Sequence, residues 1–265
     1  MRPRTQAGLA VSADGATWVL LNASPDLAQQ IRQCKALQPQ SGTRGSPIKS
    51  VVLTGAEIDQ VAGLLSLRER EPFTLFATPD THAVLVDNPV FSVLTTDLVA
   101  RQPVLPGESF KLPGDLQAEV FAAPGKIPLY LEGHSPETAS ESAGNVGIEI
   151  SVGSARMIYV PGAAAVTASM IDRCAHADVV FFDGTLFHDD EMIRTGTGSK
   201  TGRRMGHMPI AGECGSLVAL AQVGGRRIYV HINNTNPILV DGSPERRHVK
   251  ANGWEIAEDG MEVTL

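Results

Sequence analysis

Hydrophobic positions fall into short blocks broken by polar turns. Ala7–Val11 and Thr17–Ala23 are β-rich, and Ser12-Ala13-Asp14-Gly15 between them is a turn signal, so the pattern predicts a hairpin. Ser24-Pro25-Asp26 supplies an N-cap, a proline at the first helical position and an early acid, which predicts a helix to about Cys34. Residues 38–47 read as a loop and Lys49–Leu53 as a short strand whose apolar run suits a buried position. Thr54–Asp59 connects that strand to a stretch with helical spacing, Val61–Leu67; Thr74–Ala77 predicts a strand and Pro79 opens a helix.

Residues 109–123 read as paired strands around Pro113-Gly114-Asp115, and residues 124–144 as a loop rich in Gly, Pro, Ser and Glu. Val146–Val152 and Arg156–Val160 predict a hairpin about Gly153-Ser154. Thr167–Ala175 is helical, and Asp178–Phe182 is an apolar strand ending in Asp183-Gly184-Thr185. Pro209–Val223 has helical spacing, Arg226–His231 that of a strand; a short helix from Ser243 and a strand at Met261–Thr264 close the chain. No repeat of fixed period is visible. The order predicts a layered α/β protein with helices outside and mixed sheets inside.

Composition narrows the class. The 265 residues suit one domain spanning 1–265, and 43% hydrophobic with 19% charged residues excludes collagen-like, disordered and coiled-coil chains. A net charge of -7, from 22 basic and 29 acidic residues, argues against a nucleic-acid partner held by a basic footprint. No window approaches the roughly 18 apolar residues of a membrane helix, and Met1–Ala10 lacks the apolar core of a signal peptide, so a cytoplasmic protein without membrane association is expected. Cys34, Cys174 and Cys214 are far apart with no CxxC, which encodes neither a disulfide framework nor a cysteine zinc knuckle. Cys174 and Cys214 lie in apolar, helix-like stretches and read as buried or inert thiols.

Three predicted strand ends carry polar groups to one sheet edge: Asp59-Gln60, Asp183 and His231. His207 stands before a predicted helix in Met205-Gly206-His207-Met208-Pro209. Ligand sites in α/β sheets gather at the carboxyl ends of strands, and two carboxylates with two imidazoles there suit zinc or iron. Helix caps, turn residues and a satisfied buried histidine are the alternative reading. His82, His134, His176, His188 and His248 have no evident partners and read as surface or packing residues. Residues 195–206 hold four glycines with Lys200, Arg203 and Arg204, which reads as a mobile basic loop, either merely solvated or a lid that clamps substrate carboxylates.

Four segments carry a family resemblance: Leu20-Leu21-Asn22-Ala23-Ser24-Pro25-Asp26, Asp183-Gly184-Thr185, Lys200-Thr201-Gly202 with Met205-Gly206-His207-Met208, and His231-Ile232-Asn233-Asn234-Thr235-Asn236-Pro237. Over essentially the whole chain they resemble the coenzyme PQQ synthesis protein B family of the metallo-β-lactamase superfamily. The resemblance implies an αββα sandwich. Within the superfamily, Gly-His and a later strand ending in His look like the phosphodiesterase and tRNA-processing branch. It implies a role in making pyrroloquinoline quinone (PQQ), whose precursor is a cross-linked glutamate and tyrosine. Family members are described as iron-dependent hydroxylases of the tyrosine ring, and in an older view as carriers of PQQ or its precursor to the periplasm. A metal-dependent hydrolase of the superfamily is the third reading.

On that resemblance Asp59, Asp183 and His231 would hold the metal, Fe(II) first and Zn(II) second, with His207 as a further ligand or, with Asp59, in catalysis. Lys200, Arg203, Arg204 and Asn233 would bind the small or peptide-derived precursor. Other PQQ biosynthesis proteins are expected partners, and a homodimer is left open. Two departures stand out. The superfamily's H-x-H-x-D-H falls on Gly55, Glu57, Asp59 and Gln60, so only the aspartate survives and Gln60 becomes a degraded ligand position: either metal affinity is lower, or Glu57, Asp183 or His207 must compensate. The chain also starts where the family's second strand would, so the usual first strand and the C-x-C-x-x-C zinc segment are expected to be absent.

Overall fold

A computed structural model describes residues 3–39, 44–126, 130 and 140–265, and of 140–143 the backbone alone. Most of the predicted 124–144 loop, with His134, and residues 40–43 of the predicted 38–47 loop lie outside the described residues. Two sheets form. The first has five strands in sequence order, β1 (Leu9–Val11), β2 (Trp18–Leu21), β3 (Ile48–Val52), β4 (Phe73–Ala77) and β5 (Val99–Pro103), parallel except for the β1–β2 hairpin. The second runs β12-β11-β10-β9-β8-β7-β6, from β6 (Ser109–Leu112), β7 (Leu116–Gly125), β8 (Ser140–Val152), β9 (Ala155–Val160), β10 (Val179–Asp183), β11 (Arg226–Val230) and β12 (Trp254–Ile256). Its β9–β12 side is parallel and its β6–β9 side antiparallel.

The layering follows from strands that are apolar on both faces. In β10, Val179 and Phe181 point between the sheets, with Leu21, Val52, Ile148, Tyr159 and Ile228; Val180 and Phe182 point outward. That outer face is covered by α4 (Ala168–Ala175) and α7 (Pro244–Ala251) through Met170, Cys174 and Val249. In the first sheet Leu20, Val51 and Leu75 face α1 (Leu27–Gln33), α3 (Pro79–Asp87) and the 3-10 turn at Ala62–Leu67 through Leu27, Leu85 and Leu64. A period of two with both phases apolar is what burial on two sides demands. The result is the αββα sandwich of the metallo-β-lactamase type.

The remaining helices are single turns: α2 (Ile58–Val61), α5 (Glu191–Arg194) and α6 (Ser216–Ala219). Four expectations are corrected. Pro209–Val223 is not one helix, because Gly212 takes φ +92 and turns the chain, leaving only α6. Cys214 is consequently exposed, as is Cys34, while Cys174 is buried and its thiol is pushed up to about 12 by burial. The segment Met261–Thr264 forms no strand; Met261 and Val263 lie against the inter-sheet core, and the closing strand is β12 instead. Asp59 belongs to the first turn of α2 rather than to the connection before it. No helix among the described residues is long and apolar enough to cross a membrane.

Candidate metal centre

Parallel pairing of β10 with β11 sets Asp183 opposite Val230, so the next residue, His231, emerges beside the Asp183 carboxylate. The chain turns sharply there, and His231 sits at φ +52, in the left-handed region. Such strain in a non-glycine residue costs about 1–3 kcal/mol and persists only where surrounding contacts enforce it. They do so here. Asn233 N donates to Thr185 O at 3.0 Å, and buried Asn236 donates through Nδ2 to Gly184 O at 2.8 Å. Thr235 donates to the buried Glu191 carboxylate at 2.7 Å, whose other oxygen accepts from Phe187 N at 2.8 Å. The Asn-Asn-Thr-Asn run thus laces the β11 end to the Asp183-Gly184-Thr185 turn.

His207 arrives from a third direction. Gly202 N and Arg203 N donate to Asp189 at 2.7 and 2.9 Å, and His207 N donates back to Gly202 O at 2.9 Å. Gly206 then takes φ +86, where a Cβ would also come within 2.9 Å of Lys126 Cγ. This delivers His207 Nδ1 to Asp183 Oδ2 at 2.7 Å, with the His207 and His231 rings stacked at 5.1 Å. His207 is therefore neither a helix cap nor at the start of a helix; it follows a 3-10 turn at Arg203–Met205. From the other sheet, α2 brings Asp59 Oδ2 to His231 Nε2 at 2.5 Å.

Asp183 is wholly buried and accepts four hydrogen bonds: Ala163 N at 3.0 Å and His207 Nδ1 at Oδ2, Thr185 N at 3.0 Å and Thr185 Oγ1 at 2.6 Å at Oδ1. Burial opposes its charge, but the His207 and His231 rings hold it well below the usual carboxylate range. Asp59 shows the same contest, burial raising and His231 lowering, with a net fall. Burial alone would lower His231; the Asp183 and Asp59 carboxylates overcome it and push the ring up to about 10. His231 Nδ1 lies 3.9 Å from Asp183 Oδ1, an ion-pair distance rather than a hydrogen bond.

Ligand atoms of Asp183, His207 and His231 lie within 4.8 Å of one another, the one group of this kind among the described residues. Mixed imidazole and carboxylate donors fit Zn(II) or Fe(II). The family model for a beta-lactamase superfamily domain matches residues 17–232. Coenzyme PQQ synthesis protein B of Rhizobium meliloti strain 1021 is 55% identical over 266 residues, covering all of this chain and 87% of the relative. That of Methylorubrum extorquens strain AM1 is 50% identical over 266 residues, covering all of this chain and 89% of the relative. The chain belongs to the coenzyme PQQ synthesis protein B family. A solved structure of Zn(2+)-bound PqqB from Methylobacterium extorquens superposes with a TM-score of 0.97 at 50% identity, covering all of this chain and 89% of that one.

Of the residues that the family resemblance singled out, Asp59, Asp183, His207 and His231 converge. Gln60 is engaged elsewhere: its Oε1 accepts from Glu57 N at 3.1 Å and its Nε2 donates to Thr54 Oγ1 at 3.3 Å, capping α2. Its amide also fills the space over Gly55, where a Cβ would stand 2.6 Å from Oε1. Asn233 Nδ2 contacts Met192 Sδ at 3.1 Å, and Arg203 Nη2 donates to Cys214 O at 3.3 Å. Lys200 and Arg204 are half-buried in the basic loop, whose second half is tied to Asp189 rather than loose. His82, His176, His188 and His248 stand apart from the centre: His82 meets Gln102 O, His176 meets Asp172 O, and His188 and His248 pack on Phe187. Sequence reasoning missed two groups. Thr185 Oγ1 lies within 2.6–3.1 Å of Asp183, His207 and His231, and its signal was its place in the quoted Asp-Gly-Thr motif. Lys126 pairs with Glu57 at 3.3 Å beside α2, and nothing in its surrounding sequence marked it.

Proposed function

We propose that the protein acts in PQQ biosynthesis as an iron-dependent hydroxylase of a tyrosine-containing, peptide-derived precursor. The observation that carries the reading is the convergence of two carboxylates and two imidazoles at one mouth of the sandwich, in a chain whose relatives bear the name of PQQ synthesis. Donors for the metal come from the cluster of Asp59, Asp183 and His231, with Zn(II) the alternative occupant. Iron(II), when bound, supplies activation of dioxygen beside an aromatic ring; the protein supplies orientation and restricts side reactions. His207 is the acid/base beside the metal, able to hold a proton at Nδ1 against Asp183. Lys200, Arg203, Arg204 and Asn233 hold the precursor's carboxylates and amides, arginine's planar fork giving bidentate contacts. The reaction is placed in the cytoplasm, alongside the other PQQ biosynthesis proteins.

The test is oxygen uptake by the iron-loaded protein with the precursor. His231→Ala is expected to abolish hydroxylation, and turnover equal to wild type would overturn the assignment. One observation favours a second reading, a carrier of PQQ or its precursor to the periplasm. Position 60, where a histidine would add a metal donor, holds a glutamine, and its amide is committed to capping α2. Calorimetry that finds PQQ binding without metal, and no turnover with it, would favour the carrier. A hydrolase of the superfamily is disfavoured because Gly55 and Glu57 replace the first two histidines of its motif.

A further inference from the structure

The two ring nitrogens of His231 face opposite partners: Nε2 meets Asp59 Oδ2 at 2.5 Å, while Nδ1 meets Thr185 Oγ1 at 2.7 Å. One metal ion cannot take both nitrogens of one imidazole. Thr185 is buried, and its hydroxyl has four polar neighbours: Asp183 Oδ1 at 2.6 Å, His231 Nδ1 at 2.7 Å, His231 O at 3.0 Å and His207 Nδ1 at 3.1 Å. A hydroxyl has a single proton to give and two lone pairs. The shortest contact runs to a carboxylate, the stronger acceptor, so the proton goes to Asp183. The oxygen is then left to accept, and the group beside it with a proton to offer is His231 Nδ1.

The state of the two carboxylates agrees. A carboxylate offers about four lone-pair sites, and the four hydrogen bonds to Asp183 fill them. Asp59 has one side-chain partner among the described residues, and its side chain is 32% exposed against 0% for Asp183. Asp59 is the open carboxylate and Asp183 the saturated one.

We infer that Thr185 is a positioning residue: its hydroxyl, clamped by Asp183, receives the Nδ1 proton of His231 and so presents Nε2, together with Asp59, as the metal-binding edge. This narrows the donor set proposed above: Asp183 acts on the metal through Thr185 and His231 rather than as a direct ligand. Partners of this kind typically account for about 10- to 100-fold in metal affinity. The inference rests on the metal-centre reading above, and the experiment separates the two.

Zn(II) is titrated into the metal-free full chain for wild type, Thr185→Val, which keeps the shape and removes the hydroxyl, and Thr185→Ser, which keeps the hydroxyl. The Zn(II) Kd is expected to rise about 10- to 100-fold in T185V and to stay near wild type in T185S. Nitrogen-15 NMR of wild type is expected to find Nδ1 of His231 protonated and Nε2 coordinated in the zinc form, with the Nδ1 proton slow to exchange even without zinc. Unchanged affinity in T185V, or a zinc form with Nδ1 coordinated and Nε2 protonated, would overturn the inference; the second result needs no variant, so it holds if T185V does not fold. If wild type takes up no zinc while its Nδ1 proton is protected in a Thr185-dependent way, the metal-centre reading fails and the role of Thr185 toward His231 stands.

Discussion

Asp59 and His231 are 172 residues apart in the chain and 2.5 Å apart in space, carboxylate against imidazole, tying the mouth of one sheet to the mouth of the other. Because Asp59 and Asp183 flank it, the His231 ring is pushed up to about 10 despite the burial that opposes its charge. At neutral pH the metal-free protein therefore holds a proton that a metal must displace.

Zinc binding at pH 7 is expected to release about one proton per ion, and the apparent affinity to climb about tenfold per pH unit from neutrality toward pH 10. Calorimetry in two buffers of different ionisation enthalpy counts the protons. Release near zero would mean that His231 is already neutral before the metal arrives.

The same ring links pH to the stability of the metal-free fold. Its folded value lies above the unfolded 6.5, so its contribution is complete below that and is lost as pH rises through about 10. Asp59 and Asp183 are shifted down from 3.8, so their contribution is present above that value and lost as pH falls. The melting temperature of the metal-free protein should decline on the alkaline side as pH approaches about 10, and Asp59→Asn should flatten that limb. An identical alkaline limb in D59N would count against the pairing.

Gln60→His should move two measurements in opposite directions. An imidazole next to Asp59 adds a metal donor, so Fe(II) affinity is expected to rise at least about tenfold, of the order that one added interaction of 1.4 kcal/mol gives. The bonds to Glu57 N and Thr54 Oγ1 are lost, and with them about 0.5–2 kcal/mol of capping. Denaturation and metal titration of the same sample read both. Unchanged affinity would mean that position 60 is not a ligand position in this chain.

Gly206→Ala should destabilise the protein by about 1–2 kcal/mol, the usual penalty for a Cβ in the left-handed region, with added crowding against Lys126 Cγ at 2.9 Å. Urea denaturation measures it. A change within a few tenths of a kcal/mol would show that the turn before His207 tolerates another backbone path.

Much of the sandwich was legible because its strands alternate with both phases apolar: Val179 and Phe181 against Val180 and Phe182 state burial on two faces without help from the rest of the chain. Pro209–Val223 misled because apolar spacing does not register that Gly212 turns the backbone. Met261 and Val263 misled because residues packed on a core edge can alternate without pairing. At the site, Asp59, Asp183, His207 and His231 were visible as strand-end or pre-helix polar residues. The role of Thr185 was not, since it depends on where one hydroxyl proton points among four neighbouring polar atoms. Nor was that of Gln60, whose amide reads as a weakened ligand in sequence and as a helix cap in space.

The left-handed backbone at His231 pulls sequence drift one way and its carboxylate partners pull it the other. Glycine relaxes that conformation and asparagine tolerates it better than most side chains. Exchange of His231 for either would relieve that strain, but it would also leave the wholly buried Asp183 carboxylate and Asp59 without the ring that pairs them, and an uncompensated buried charge costs more than the strain it replaces. The position is therefore a latch: even with metal binding no longer under selection, departure from histidine is uphill for folding until the carboxylates beside it are lost as well.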